Sequence, residues 1–379
     1  MIAMKNSIPI LPKSVALELT YRCNHHCLFC SCPWYAPNSS YPLGKELSTT
    51  QWKWVIEKLY DYGVKTFSLS GGEALLREDL HEIIRHIRTI GNQRKIDYPI
   101  ILISNGRLMN EGHLKYFKEM NVHLSMSLPG YLSFEEHTGV DNADYVLECF
   151  SKAKEIGLEC TANITVTQKN YHELFETISL ALINGASDIL LNRFLPGGRG
   201  LQYMNELSLS MEQINGMLDT AEKVLTLANR YGNVGTEIPK CIIASADSYK
   251  RIHVGYLCAA AKGFFVIDPA GQIRTCNHSP HIVGNVFEEP WIKDTDYWNQ
   301  FASRSYLPTF CKECSTNKSC DCGCREVTHI LRLGINGIEP NLCLKKLSAL
   351  FYVFLLIFRY FIVSLPHHQN DKRYATKSQ

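Results

Sequence analysis

Residues 19–30 read LTYRCNHHCLFC and place three cysteines, Cys23, Cys27 and Cys30, at a CxxxCxxC spacing. Thiolates at such intervals are typical metal ligands, and iron-sulfur clusters in particular are held by cysteine. Zinc is the alternative, and it requires a fourth ligand. The nearby candidates for that ligand are His25, His26 and Cys32. The segment therefore predicts a metal centre, and the sequence downstream must decide between iron-sulfur and zinc.

Two further motifs follow apolar stretches that have the pattern of buried strands. The first stretch, residues 65–70, continues into Gly71-Gly72-Glu73, and the second ends in Ser104-Asn105-Gly106. Paired glycines let the backbone approach a ligand closely, and a carboxylate at a strand tip can bind an ammonium group. Either motif alone would more often be an ordinary turn. Downstream of the three cysteines, Gly-Gly-Glu favours a cofactor site over zinc.

Together these segments resemble the cluster loop and the S-adenosylmethionine (SAM) motifs of radical SAM enzymes. The resemblance implies that Cys23, Cys27 and Cys30 hold three irons of a 4Fe-4S cluster, whose fourth iron binds the amino and carboxyl groups of SAM. It also implies that Glu73 is the anion partner of the SAM amine. The other cofactor contacts implied by the resemblance are Phe29, Gly71, Gly72, Ser104, Asn105, Ser127 and Arg193.

Length, charge and cysteine content restrict the class of protein. A chain of 379 residues can bury a large core, and α/β barrel domains of two hundred residues or more are common. The 39 basic and 37 acidic residues produce no overall field that would favour nucleic acid. Fifteen cysteines without a signal-peptide pattern favour metal binding in a reducing compartment. We therefore expect a cytoplasmic enzyme that does not bind nucleic acid.

Short β-branched stretches alternate with amphipathic ones, which is the pattern of parallel strands joined by helices. The predicted strands are 15–21, 65–70, 100–104, 123–128, 159–167 and 188–194. The predicted helices are 50–62, 79–90, 111–120, 143–156, 171–184 and 211–231. The fold class is α/β, consistent with the partial (β/α)6 barrel of the resembled family. The site should lie at the carboxyl ends of the strands.

The remaining cysteines gather in a second array beyond residue 231. The array has the pattern C-x12-G-x4-C, then CxxC-x5-C-x3-C, then a last cysteine, and its members are Cys258, Gly271, Cys276, Cys311, Cys314, Cys320, Cys324 and Cys343. It is similar to the SPASM extension of radical SAM peptide-modifying enzymes, which implies two auxiliary iron-sulfur clusters. By that resemblance Cys311, Cys314, Cys320 and Cys343 hold one cluster fully. Cys258, Cys276 and Cys324 hold the other, and one of its ligands is unassigned.

The unassigned ligand has several candidates. Cys241 and Cys322 are two, and water, a backbone group or a substrate atom are the others. An iron without a protein thiolate can bind substrate or tune the potential, whereas a cluster with four thiolates mostly transfers electrons. The alternative for the whole array is a pair of zinc sites, because CxxC pairs are common zinc signatures. Cys32, Cys149 and Cys160 are interpreted as buried or incidental thiols.

The resemblance also implies the reaction. Reductive cleavage of SAM yields a 5′-deoxyadenosyl radical, which takes hydrogen from an unactivated carbon, while the protein orients the reactants and excludes water. When a substrate radical adds to an aromatic ring, the ring regains aromaticity by losing an electron, and auxiliary clusters can accept it. Two such clusters therefore favour a net two-electron oxidation, such as a crosslink.

Three smaller motifs point to a subgroup. They are Cys-Ser-Cys-Pro-Trp at 30–34, Ser-Met-Ser-Leu-Pro-Gly at 125–130, where many SPASM enzymes carry Asp instead of Pro129, and Leu-Asn-Arg-Phe-Leu-Pro-Gly-Gly-Arg-Gly at 191–200. They resemble the triceptide (XYE-type) cyclophane-forming and darobactin-type maturases. This implies a short ribosomal precursor peptide, an external electron donor such as flavodoxin or ferredoxin, and a role in antibiotic-type natural product biosynthesis. The sequence leaves open the identity of the precursor, the residues joined, the bond type (carbon-carbon or ether), the electron donor and the oligomeric state.

Arg193 and Arg199 are placed by this motif at the mouth of the barrel. Their guanidinium groups could grip a carboxylate of the cofactor or of the peptide, or they could be ordinary charges in an exposed loop. Asn277 follows Cys276 directly, where anaerobic sulfatase maturases carry a catalytic Asp. Its amide disfavours the sulfatase-maturase interpretation.

We predict three parts: a radical SAM core over 1–235, a SPASM domain over 236–346, and a hydrophobic helix with a polar tail over 347–379. Only about a dozen residues precede the first strand, too few for a peptide-recognition domain. Residues 347–365 are nearly all apolar, but Arg359 interrupts them and Lys345 and Lys346 precede them. Because a central charge is costly in lipid, we favour a helix packed on the protein or lying on a membrane surface. This would give the cytoplasmic enzyme a contact with membrane.

Two other functions compete with a crosslinking maturase. One is a different SPASM reaction, namely thioether formation, side-chain dehydrogenation or epimerisation. The other is a non-catalytic metal-binding or electron-transfer protein that uses the same cysteines. Glu73, Ser104 and Asn105 argue against the second, since such a protein has no need of methionine and ribose contacts.

Overall fold

Eleven strands form one mostly parallel sheet in the computed structural model, which describes residues 10–244 and 248–340. The strands are β1 (Ser14–Glu18), β2 (Thr66–Ser70), β3 (Ile100–Ser104), β4 (Val122–Ser127), β5 (Cys160–Val166), β6 (Asp188–Arg193), β7 (Gly232–Val234), β8 (Ile252–Val254), β9 (Phe264–Ile267), β10 (Gln272–Arg274) and β11 (Ile282–Asn285). The helices are α1 (Thr49–Asp61), α2 (Leu80–Gln93), α3 (Glu111–Glu119), α4 (Phe134–Thr138), α5 (Ala143–Glu155), α6 (Leu174–Ile183), α7 (Met204–Leu207), α8 (Met211–Ala228), α9 (Thr295–Ala302), α10 (Thr309–Lys312) and α11 (Arg325–Ile330).

Strands β1 to β6 lie side by side in chain order, and every neighbouring pair is parallel. A helix lies between each strand and the next, as parallel connections require. The predicted α/β pattern is therefore confirmed. Because all six strands point the same way, their carboxyl ends share one edge of the sheet. On the side away from β2, β1 pairs with β9, and the sheet is therefore open.

The bounds of the predicted elements differ from the structure mainly where the chain enters a turn. β1 ends at Glu18, short of the predicted residue 21, because the chain turns there into the cysteine segment. Leu19 still donates a hydrogen bond to the Ser70 carbonyl at 2.9 Å. α8 ends at Ala228, since Asn229 adopts the left-handed conformation at φ 51° and caps the helix. α6 begins at Leu174 after a short 3-10 turn.

Local sequence explains where the longer helices begin and which face is buried. Ser48 starts α1 with a capping box to Gln51, and Ser210 and Gln213 form the same motif before α8. Such a box satisfies two backbone N–H groups that the first turn leaves unpaired. In α1 the buried positions are Trp52, Val55, Ile56, Leu59 and Tyr60, a helical spacing that turns one face to the sheet.

Residues beyond 231 extend this sheet at both edges. β7 and β8 continue it beyond β6, and β9 pairs in parallel with β1 and is followed by the antiparallel strands β10 and β11. The described residues form one compact unit, so the end of the predicted core at 235 is not a break in the sheet. The predicted domain boundaries stay predictions. Cys343 and the apolar segment 347–365 lie outside the described residues, and no helix within 10–244 or 248–340 has the length and apolarity to cross a membrane.

A buried ion pair joins the last residues of β1 and β10. Arg274 binds the Glu18 carboxylate, and both side chains are almost fully excluded from solvent. The guanidinium also donates to the Ser279 carbonyl at 2.8 Å and lies 5.6 Å from the centre of the Tyr41 ring. Arg274 thereby links the first strand of the core to the segment that carries the second cysteine array.

We expect Arg274→Met to lower the free energy of unfolding by about 3–5 kcal/mol, because it leaves the Glu18 charge buried without its partner. The measurement is the urea unfolding midpoint of the full chain. Arg94→Met is the matched control, since Arg94 pairs with Asp61 on the surface and its loss should cost less than about 1 kcal/mol. Equal, small losses for both variants would contradict a structural role for the buried pair.

Candidate active site

A cavity of about 480 Å³ opens at the carboxyl ends of the parallel strands. The final residue of each of six strands lines it, namely Glu18, Ser70, Ser104, Ser127, Arg193 and Val234. This is the edge at which parallel α/β proteins build their sites. Of the predicted site residues, the cavity wall includes Cys23, Cys27, Cys30, Phe29, Gly71, Gly72, Glu73, Ser104, Asn105, Ser127, Arg193, Cys258, Cys276 and Cys324.

The loop with Cys23, Cys27 and Cys30 is held from two sides through its backbone. On one side His26 donates to the Thr138 carbonyl and Leu28 to the His137 carbonyl, each at 2.8 Å, at the end of α4. On the other side Gly200 donates to the Cys30 carbonyl at 3.1 Å. The three sulfurs are therefore positioned by contacts with distant parts of the chain.

Glu173 fixes the turn before α4, on which the cysteine loop rests. Its buried carboxylate accepts hydrogen bonds from the backbone N–H groups of Leu132 at 2.6 Å and Ser133 at 3.1 Å, and also from the Ser133 hydroxyl. No sequence motif marks Glu173, because it acts on a turn forty residues earlier in the chain. It supports the cysteines without touching them.

The two glycines of Gly-Gly-Glu are needed because the cysteine loop packs directly on them. Gly72 donates to the Thr20 carbonyl and Glu73 to the Arg22 carbonyl, each at 2.8 Å. A Cβ on Gly71, which has φ 125°, would lie 2.6 Å from the Thr20 oxygen, and one on Gly72 would overlap the Arg22 oxygen. The sequence suggested close approach to a ligand, whereas the closest neighbour is backbone that leads to Cys23.

Glu73 is buried and connects this turn to the end of β3. Its Oε1 accepts from Ser104 Oγ at 2.9 Å and from Leu75 N–H at 3.0 Å, and its Oε2 accepts from Asn105 N–H at 2.8 Å. Burial raises the pKa of the Glu73 carboxyl, and these donors oppose that effect. A carboxylate oxygen has more than one acceptor position, so Oε2 keeps capacity for an ammonium group from the cavity. The predicted contact with the SAM amine stays a prediction.

The donor set of the first three cysteines fits an iron-sulfur cluster. Burial raises the pKa of the Cys23 and Cys27 thiols, whereas the neighbouring Cys32 thiol lowers the pKa of Cys30 to about 7. Iron binding therefore has to displace protons from Cys23 and Cys27. The Asn105 amide is 3.9 Å from the Cys23 sulfur. Within the described ranges, no three Cys, His, Asp or Glu side chains converge as ligands of one metal ion. Cysteine thiols are the ligands that iron-sulfur clusters use, and all three line the same cavity.

The later cysteines that the structure describes fall into two groups. Cys258, Cys276 and Cys324, here called the cavity cysteines, line the same cavity as the first three. The outer cysteines, Cys311, Cys314 and Cys320, are absent from its wall.

Cys322 and Cys241, the two thiols considered for the unassigned ligand, both lie beside the outer cysteines. The Cys322 N–H lies 3.4 Å from the Cys320 sulfur. Burial, and then the charges of Cys320 and Cys311, raise the pKa of Cys241 to about 11. The structure therefore places neither thiol with the cavity cysteines.

Arg193 and Arg199 are both engaged by the protein. The Arg193 guanidinium is buried and binds both carboxylate oxygens of Glu339, at 2.5 and 2.9 Å. The partner of Arg193 is thus a carboxylate of this chain. The sequence had suggested a carboxylate of the cofactor or of the peptide instead. Arg199 donates to the Cys27 carbonyl at 3.1 Å and lies 4.8 Å from the centre of the Tyr35 ring, so it braces the cysteine loop.

Several wall residues were missed by the sequence analysis: Glu18, Asn163, Thr165, Asn192, Glu237 and His278. Glu18, Thr165 and Asn192 lie at or next to the last residue of their strands, and that position alone could have identified them, whereas Asn163 lies in the middle of β5. Asn192 donates to Asn163 Oδ1 at 2.8 Å, which makes a polar floor. Glu237 and His278 lie in irregular segments, where no pattern marks them.

We expect Gly72→Ala to displace the cysteine loop, because the new methyl group overlaps the Arg22 carbonyl. Iron bound per chain after anaerobic reconstitution should fall by up to about four, the content of one cluster. Gly112→Ala is the control, since its Cβ would meet only the Asn110 side chain at 3.2 Å. Unchanged iron content in Gly72→Ala would show that the loop tolerates the displacement.

Comparison with known sequences agrees with this geometry. The radical SAM superfamily model matches residues 17–181, which include the cysteine loop, Gly-Gly-Glu and the β3 end. The PqqA peptide cyclase of Bradyrhizobium diazoefficiens is 24% identical over 351 residues, which cover 89% of this chain and 87% of the relative. The AdoMet-dependent heme synthase of Methanosarcina barkeri is 27% identical over 343 residues, covering 86% and 93%.

Solved structures share the fold. SuiB of Streptococcus suis bound to S-adenosylmethionine aligns with a TM-score of 0.66 at 17% identity, over 88% of this chain and 78% of SuiB. SuiB bound to its precursor peptide SuiA also gives 0.66, at 16% identity, over 88% and 76%. The three cysteines and Gly-Gly-Glu lie at the carboxyl edge of a parallel sheet within residues 17–181, and this part of the enzyme is a radical SAM domain.

Proposed function

We propose that this enzyme is a maturase that uses SAM to crosslink an aromatic side chain of a ribosomally made precursor peptide to a neighbouring residue. The observation that carries the proposal is the shared cavity: Cys23, Cys27 and Cys30 line it together with Cys258, Cys276 and Cys324. A substrate in this cavity would lie next to both the site of hydrogen abstraction and a second iron site. A net oxidation needs both.

The relatives support a peptide as the substrate class. One curated relative is named a peptide cyclase, and a structure of the same fold holds a precursor peptide. The heme synthase among the relatives acts on another class of substrate, as its name says, so the substrate must be tested directly. The polar floor formed by Asn163 and Asn192 offers amide groups of the kind that hydrogen-bond a peptide backbone.

The cofactors we propose are SAM, a 4Fe-4S cluster on Cys23, Cys27 and Cys30, and two auxiliary iron-sulfur clusters in a SPASM extension. When bound, SAM and its cluster supply the hydrogen-abstracting radical, and the auxiliary clusters supply an electron acceptor. The chain's own part is to orient the reactants and to exclude water. Glu73 and Asn105 present a carboxylate and an amide beside the cysteine loop, and the buried Phe194 closes part of the wall.

The partners we propose are the short precursor peptide and an external electron donor such as flavodoxin or ferredoxin. The assignment to the cytoplasm belongs to the same proposal, as does a membrane-surface contact through residues 347–365.

We expect the full-length enzyme, reconstituted anaerobically and supplied with SAM and a reductant, to remove two hydrogens per crosslink from a precursor peptide encoded beside its gene. Tandem mass spectrometry should place the loss between an aromatic residue and a neighbour. Cys27→Ser should abolish both the mass change and the release of 5′-deoxyadenosine.

Other outcomes separate the competing functions. A peptide of unchanged mass that exchanges solvent deuterium indicates epimerisation, and an increase in mass indicates insertion. Absence of 5′-deoxyadenosine with every peptide would favour a metal-binding protein without catalysis.

The two groups of later cysteines should lose iron independently. We expect Cys276→Ser and Cys320→Ser each to lower the iron content by up to about four per chain, and the double variant by about eight, because each group would hold a separate cluster. Iron and sulfide analysis of reconstituted protein measures this. Cys149→Ser, a buried thiol of α5, is the control and should leave the iron content unchanged. Zinc in place of iron at both groups would contradict the auxiliary clusters.

A further inference from the structure

A second cavity, of about 390 Å³, borders the cavity of the candidate active site, here called the active cavity, along β7 and β8. On β7, Gly232 and Asn233 line the second cavity, and the next residue, Val234, lines the active cavity. On β8, Val254 lines the second cavity and Gly255 lines the active cavity. The strands pair in parallel with Val234 opposite Val254, so the border crosses both strands within one residue of the same level. A peptide that leaves the active cavity along these strands reaches the second cavity directly.

The wall of the second cavity is rich in basic and aromatic side chains. These residues are Tyr231, Tyr249, Lys250, Arg251, His253 and Tyr256. Among the described residues that line it there is no Asp or Glu. Tyr231, Lys250 and His253 are exposed, so a ligand can enter from solvent. A concave surface that carries cations and no carboxylate attracts groups of negative charge.

Two acidic residues of α8 hold the segment that carries these cations. The Glu222 carboxylate accepts hydrogen bonds from three consecutive backbone N–H groups, those of residues 250–252, at 2.8 to 3.0 Å. The Asp219 carboxylate accepts a hydrogen bond from the Tyr249 hydroxyl at 3.0 Å. Both carboxylates thus fix the position of the segment through its backbone and one ring. Such support is what a preformed binding surface requires.

Arg251 is held in a geometry that keeps its hydrogen-bond donors available. Its carbonyl accepts from the Gly232 N–H at 3.0 Å, which joins it to β7. Its guanidinium carbon lies 4.7 Å from the centre of the Tyr231 ring, in a cation–π contact. The N–H groups of a guanidinium lie in its plane, so a ring against its face leaves them directed outward. Two such N–H groups match the two oxygens of a carboxylate.

We propose that the second cavity binds an acidic segment of the precursor peptide, with an Asp or Glu side chain of that segment on Arg251 and Lys250. The inference rests on the proposed function, which makes a peptide the substrate. An extended peptide advances about 3.3 Å per residue, so the acidic residue lies within about four residues of the one being modified. The enzyme therefore selects its substrate partly by residues that do not react, while the neighbouring residue enters the active cavity.

Fluorescence anisotropy measures this binding separately from the reaction. The probe is the labelled precursor peptide encoded beside the gene, added to the reconstituted full-length enzyme without SAM. We expect Lys250→Gln/Arg251→Gln to raise the Kd about 10- to 100-fold, because hydrogen bonds from charged groups to the peptide are lost. Asn233→Trp should also raise the Kd, since the indole fills the second cavity without changing its charge. Unlabelled hexaglutamate should displace the probe from the parent enzyme, and hexaglutamine should not.

Lys58→Gln/Lys115→Gln is the matched control. It removes two exposed positive charges, from α1 and α3, that line neither cavity, and the Lys58 ammonium also contacts an aromatic ring, with its nitrogen 5.9 Å from the centre of Trp54. The Kd should stay within about twofold of the parent value.

Three results would overturn the inference. The first is a Kd that neither Lys250→Gln/Arg251→Gln nor Asn233→Trp changes, or that only the former changes. The second is an equal loss of affinity in the control, which would show attraction by net charge alone. The third is a parent enzyme that binds neither the precursor nor hexaglutamate. An unchanged urea unfolding midpoint shows that a variant has folded.

The failure of the proposed function gives a different result. In that case the precursor keeps its mass and causes no release of 5′-deoxyadenosine, whatever its Kd for the parent and the variants. Failure of the inference alone leaves the crosslinked product in place, and the variants of the second cavity then form it with the KM of the parent.

Discussion

The buried ion pair between Arg193 and Glu339 is the contact on which the geometry of the cavity depends. Both side chains are almost fully excluded from solvent, and burying two charges is favourable only when every remaining donor and acceptor is satisfied. Here the remaining groups bind the backbone of Glu237 and of Cys324. The requirement to satisfy a buried pair thus imposes a definite position on the loop after β7 and on the residue that precedes α11. β6, the last strand of the predicted core, is in this way connected to the second cysteine array.

The first cysteine loop is positioned by a different means, namely close packing of backbone on backbone. Gly72 allows the loop to approach the end of β2, and α4 receives the loop on its other side. α4 itself is held by Glu173. Both devices are contacts within the protein, and they fix the backbone that carries the three thiols. A preorganised site loses less conformational entropy on binding than a flexible one.

The parts of the fold that could be predicted from sequence are those with local causes. The six parallel strands follow from apolar runs between helical stretches, and their observed bounds differ from the prediction mainly where caps and turns end an element, as at Asn229. The site at the strand carboxyl ends follows from the motifs. The pairing of β9 with β1 could not be predicted, because a four-residue strand carries no signal of its partner. The same holds for Arg193, whose partner Glu339 is 146 residues away, and for Glu237, which no pattern distinguishes from a surface charge.

The relation between the two groups of later cysteines does have a local cause. Cys320 belongs to the outer group and Cys324 to the cavity group, and an extended chain of four steps spans only about 14 Å. The C-x3-C spacing therefore makes the two groups neighbours whatever else the fold does. Asp321 and Cys322 are buried in this connection, and the Asp321 carboxylate accepts from the Cys258 N–H at 2.7 Å, which brings the connection to the cavity wall. Under the proposed function, electrons leaving a substrate in the cavity would pass first to the group that shares its wall. The outer group, with Cys314 half-buried and Phe310 exposed beside it, would pass them on toward the donor or acceptor in solution.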